Sequence, residues 1–135
     1  MDARRYLDKI VDPTVREYES ESTSVRRAML ACIVTYHAIE YLGLRNQREQ
    51  FWQECPDFAL VDRICHAAKH VEGRHQPLRA ENVISRPSDF LDVGAWDLSR
   101  FDDPVGGVTV SGETHLDILR ALHGAGALLR RKLPQ

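Results

Sequence analysis

Arg63, His66 and His70, with Asp62 beside them, are the residues whose types and spacing could do chemistry. On a helix turning about 100° per residue, these four side chains fall within one arc of roughly 100°. An arginine, a carboxylate and two imidazoles on one face are suited to holding a phosphate, moving a proton or ligating a metal. A second polar seam lies upstream, where His37 and Glu40 stand three residues apart and share a face with Arg26 on an otherwise apolar segment. If the two seams face each other, His37, Glu40, Asp62, Arg63, His66 and His70 line one pocket. If they do not, the downstream residues form an ordinary solvated face and His37 pairs with Glu40 at a helix edge.

Two chemistries follow from the pocket. Imidazoles at i and i+4 reach one metal ion, so His66 and His70 could bind one with His37 or Glu40 completing the set. Ala67 stands where a zinc-protease helix carries its general-base glutamate, so the ligand set is incomplete and no metal or other cofactor is assigned. The other chemistry is metal-independent cleavage of RNA, in which an arginine stabilises charge developing at phosphorus and a histidine moves the proton.

The run Arg63-Ile64-Cys65-His66-Ala67-Ala68-Lys69-His70 resembles the arginine, four to six residues, histidine motif of the HEPN superfamily. Those proteins are all-helical bundles that act as ribonucleases or nucleotide-binding modules. The resemblance implies that Arg63 and His70 are the motif residues, that the ligand is RNA or a nucleotide, and that two copies pair as a homodimer. Many such domains serve as binding modules without catalysis, and a binding or interaction module is the expected function here.

The elements that must position these residues can be read from patterning. The polar cluster Glu19 to Ser24 is rich in helix N-caps, and Val25 to Leu42 is then apolar over nearly its whole circumference up to Gly43, which predicts a central helix packed on several sides. A short amphipathic helix over Asn46 to Cys55 is anchored by Phe51 and Trp52. Pro56-Asp57 opens a third helix running to about Val71, with Phe58, Val61, Cys65 and Ala68 as its core stripe. Upstream, Tyr6, Leu7 and Ile10 share a side of a short helical segment that precedes a turn at Asp12-Pro13.

From Glu72 to Asp92, with Gly73, Pro77 and Pro87, the pattern reads as loop with a short extended piece at Val83-Ile84. Val93 to Leu98 and Val105 to Val110 predict a small β-hairpin, in or near which Phe90, Trp96 and Phe101 could stack on bases but are expected to serve core packing. Thr114 and Asp117 resemble a capping box for a last helix ending near Leu133, which Gly124 and Gly126 either weaken or open to a close neighbour. Arg130-Arg131-Lys132 suits the negative end of that helix, and His75, His115 and His123 are given no role. The expected fold class is mainly α, a bundle of about four helices with a small β-hairpin before the last, forming one domain over residues 1–135.

Composition narrows the function classes. A net charge of -2 gives no global attraction to nucleic acid or anionic lipid, so an RNA-binding role needs a local basic patch. The three cysteines, Cys32, Cys55 and Cys65, lack CxxC spacing, which argues against disulfides and a thiolate zinc site. A charged start over Met1 to Ile10 and no long apolar run lead to a cytoplasmic expectation without membrane contact.

Overall fold

The computed structural model describes residues 1–69, 83–85, 108–110 and 115–135, and these are mainly helical. In chain order they form α1 (Ala3–Tyr6), a π-helical stretch (Leu7–Val11), α2 (Asp12–Ser20), α3 (Val25–Tyr41), a 3₁₀ turn (Arg45–Gln47), α4 (Arg48–Glu54), α5 (Pro56–Lys69), β1 (Val83–Ser85), β2 (Val108–Val110) and α6 (His115–Arg131). No helix among the described residues is long and apolar enough to cross a membrane.

α3 is the central pillar that its composition predicts. Of the N-cap candidates, Ser24 is the one used: its hydroxyl accepts from the Arg27 N–H at 3.2 Å. The helix stops at Gly43, whose φ of 68° allows Leu44 N–H to donate to the Ile39 carbonyl at 2.9 Å and Gly43 N–H to the Glu40 carbonyl at 3.0 Å. Between these ends Ala28, Ala31, Cys32, Tyr36, Ala38 and Ile39 are buried, and α3 packs against α1, α2, α5, α6 and β1. Its apolar coat is not covered everywhere, because Leu30 and Tyr41 remain exposed.

The turn expected at Asp12-Pro13 does not form. The helix continues through it, because the chain widens just upstream into π geometry, with the Asp12 N–H reaching back to the Leu7 carbonyl. Pro13 then lies in the first turn of α2, where its missing N–H costs little. This continuous helix docks along its length: Leu7, Val11, Val15 and Tyr18 are buried, the Tyr6 hydroxyl donates to the Val34 carbonyl at 3.1 Å, and the Tyr6 ring stacks on Tyr41 at 3.9 Å.

α5 buries Phe58, Val61, Ile64, Cys65 and Ala67, a stripe wider than the sequence pattern suggests, because both α3 and α6 pack against it. α6 buries Ile118, Ala121, Leu122, Ala125, Leu128 and Leu129. Its two glycines differ. A Cβ on Gly124 would stand 2.1 Å from Asp57 Oδ2 and 3.0 Å from Asp57 Cβ, so α6 needs a glycine to approach α5 there, whereas Gly126 faces open space.

β1 and β2 pair antiparallel, Val83 opposite Val110 and Ser85 opposite Val108, and Val83 is buried in the core. The described partner of Val108–Val110 is therefore the extended piece at Val83. Val93 to Leu98, the first arm of the expected hairpin, lies outside the described residues, as do His70, His75, Phe90, Trp96, Phe101, Thr114 and most of the 72–92 loop.

Candidate functional site: a buried aspartate holding a histidine

The site is built from three helices, and its centre is Asp62. The sequence puts Asp62 and His66 on one polar arc of α5. The structure keeps them together but turns the Asp62 carboxylate inward, leaving its side chain 1% exposed. A buried carboxylate is costly unless every lone pair finds a donor, and here four contacts meet that need. Oδ1 accepts from Arg48 Nη2 at 2.8 Å and lies 2.6 Å from His66 Nδ1, while Oδ2 accepts from Arg48 Nε at 2.5 Å and from Trp52 Nε1 at 2.7 Å. The arginine contact is the bidentate fork that suits a carboxylate.

Arg48 and Trp52 come from α4 and stand four residues apart, so they share a face of that short helix. Phe51 fixes the helix: fully buried, it meets Phe58 of α5 edge to face at 5.4 Å. The Arg48 guanidinium also lies over two aromatic rings, 4.9 Å from the centroid of Trp52 and 5.6 Å from that of Tyr36. Burial works against the charge on Arg48, but the hydrogen bonds and negative charge of Asp62 outweigh it and hold its pKa above the ordinary value. Burial, and then the charge of Asp62, push the Tyr36 hydroxyl up as well.

His66 is the half-exposed end of this cluster, with 31% of its side chain open. Its Nδ1 lies 2.9 Å from the Asp62 backbone carbonyl as well as 2.6 Å from the carboxylate. Both are acceptors, so Nδ1 carries a proton. Tyr36 of α3 meets the His66 ring edge to face at 5.2 Å.

The other sequence candidates separate. The ring of Tyr36 also meets His37 at 5.5 Å, so the polar seam of α3 comes up to the Asp62 cluster through an aromatic side chain. His37 Nδ1 pairs with the exposed Glu40 at 3.4 Å. Arg63 is partly buried, and its Nε is one of the buried side-chain atoms among the described residues with no hydrogen-bond partner, with Tyr18 Oη and Thr35 Oγ1. Among the described residues no group of three His, Cys, Asp or Glu side chains gathers as a metal site would require. All three cysteines are free and buried, and burial pushes the Cys32 thiol far above its ordinary range, as suits a core residue and not a nucleophile.

Reading the sequence missed Arg48, and it took Trp52 for an apolar anchor of its helix and not for a donor to Asp62. The available signal was an arginine and a tryptophan four apart on a short helix, two residue types that a buried carboxylate can use. Compared with known proteins, the chain matches no family, no curated protein and no solved structure.

Proposed function

We propose that this chain is a HEPN-like helical binding module that takes a phosphate-bearing ligand, RNA or a nucleotide, on the face of α5 that carries Arg63 and His66. The observation that carries this reading is the Arg63 Nε, a buried charged donor without an acceptor among the described residues, three residues before a histidine held by Asp62. A buried unpaired donor is costly, and a phosphate oxygen supplies the acceptor it lacks. The cluster beneath does not oppose an anion, because Arg48 cancels the charge of Asp62. The test is fluorescence anisotropy with a labelled single-stranded RNA at two salt concentrations. Salt-sensitive binding that falls at least about tenfold in Arg63→Ala, with unchanged circular dichroism, is the expected result. Equal binding by the variant, or none by either protein, would refute the reading.

A second reading, metal-independent RNA cleavage, is favoured by the held imidazole. In it a histidine takes the proton of a 2′-hydroxyl, the freed oxygen bonds to phosphorus as the bond from phosphorus to the 5′-oxygen breaks, and the protonated histidine returns its proton to that leaving oxygen, while Arg63 stabilises the charge at phosphorus. His70 is the histidine that the resemblance assigns to the motif, and His66 is the one whose proton Asp62 places. Intact RNA after prolonged incubation with the wild type would dismiss this reading and leave the binding module standing.

A further inference from the structure

We infer that the open face of α3 is a self-association surface, on which a second copy of this chain docks antiparallel about a two-fold axis at Ile33. The inference does not rest on the ligand proposed above. Its basis is the division of α3 into two halves. Taking about 100° per residue, the buried side chains from Ala28 to Ile39 fall within one arc of roughly 160°. The opposite arc, roughly 120° wide, carries Arg26, Met29, Leu30, Ile33, Glu40 and Tyr41. Of these, Met29 and Ile33 are half-buried and the other four are exposed. The helix at the middle of the bundle thus leaves toward solvent an apolar centre with a cation at one end and an anion at the other.

The occupant follows from the order of the charges. Arg26 and Glu40 stand seven residues either side of Ile33, which is about 10.5 Å along the axis in each direction and roughly 20° to opposite sides of it. A two-fold axis through Ile33 and perpendicular to α3 therefore places Arg26 of each copy on Glu40 of the other, and Ile33 on Ile33. A parallel pairing of the same face sets Arg26 against Arg26 and Glu40 against Glu40, so the charges select the antiparallel one. Glu40 keeps its contact with His37 and still exposes 42% of its side chain to a partner. The charged ends stay wet and fix direction and register, while burial of Leu30 and Ile33 supplies the attraction. One helix face falls short of the roughly 800 Å² per partner of a standard interface, so the association is weak, with a dissociation constant of about 10–100 μM.

The test is sedimentation equilibrium of the full chain, without added ligand, from about 5 to about 500 μM. The expected result is an average mass that rises from one chain toward two and goes no further. Arg26→Glu and Glu40→Arg each bring like charges together at both ends, and each is expected to weaken association at least about tenfold with unchanged circular dichroism. An equimolar mixture of the two variants restores opposite charges at both ends, as does the double variant Arg26→Glu with Glu40→Arg, so both are expected to recover the wild-type association. Recovery on mixing requires Arg26 and Glu40 to meet across the interface. Leu30→Glu, at the exposed part of the apolar centre, is expected to leave single chains throughout the range. A wild type that stays a single chain at every concentration overturns the inference, and so does growth beyond two chains. A dimer indifferent to either charge reversal lies on another face and overturns it too. Weakening in both variants without recovery in the mixture or the double variant overturns the antiparallel register.

Discussion

α5 is held on two sides by different means. On one side the Asp62 carboxylate is locked to α4 by an arginine fork and an indole, all but sealed from water. About 140° around the same helix, Asp57 meets α6 at Gly124, where contact depends on the absence of a side chain. α6 in turn is tied to the N-terminal helix by exposed pairs: Arg130 to Asp8 at 3.0 Å and to Asp12 at 2.6 Å, and His123 to Glu19. The same residue types, carboxylate with arginine and histidine, occur on both sides. Burial separates them. In the sealed cluster each contact fixes the next, whereas the exposed pairs compete with water and salt.

The comparison breaks first at Asp62. Asp62→Ala leaves Arg48 without its counter-charge and should cost about 3 kcal/mol, the low end of the range for a broken buried pair, because Arg48 is 34% exposed and can regain water. Urea unfolding would measure it, and a loss below about 1 kcal/mol would place the cluster with the surface pairs. Gly124→Ala should cost about 1–3 kcal/mol, since the new methyl overlaps the Asp57 side chain close to its root. Gly126→Ala, in open space on the same helix, should instead stabilise by about 0.5–1 kcal/mol. Opposite shifts in melting temperature would separate contact by shape from helix propensity.

Alkali sharpens the contrast in another way, because arginine–carboxylate pairs keep their charges in base while the buried phenols of the α3 side do not. Burial pushes the Tyr6 hydroxyl up from 10.0 to about 12. The unfolded chain therefore releases this proton first, and Tyr6 stabilises the fold fully below about pH 10, with that contribution lost as pH rises toward about 12. Tyr6→Phe should flatten the fall in stability over that window. The smallest effect is expected at Arg130→Ala, below about 1 kcal/mol and fading with added salt.

Much of this arrangement is legible in the sequence because it depends on local rules. Ser24 and Gly43 bound α3 by cap chemistry, Pro56 opens α5, and Phe51 anchors α4. The grouping of Asp62 with His66 is legible too, since i and i+4 share a face. The inward turn of Asp62 is not. Periodicity assigns an aspartate to the polar side, and its burial depends on the donors supplied by α4 together with His66. The helix through Pro13 was hidden for a related reason: a proline reads as a break unless the turn before it widens, and that widening has no residue signature. The fate of the two glycines also depends on which one faces Asp57, a matter of packing between helices.

The π-helical stretch at Leu7–Val11 has a consequence for the length of the chain. Such a stretch is an ordinary helix with one residue inserted, so the first turn is aimed by counting as much as by residue type. Deleting one residue there would restore a regular helix without breaking it, yet would swing Ala3–Tyr6 by about 100° about the axis. Tyr6 would then leave both the Val34 carbonyl and the ring of Tyr41, although its own identity and that of every contact residue were unchanged.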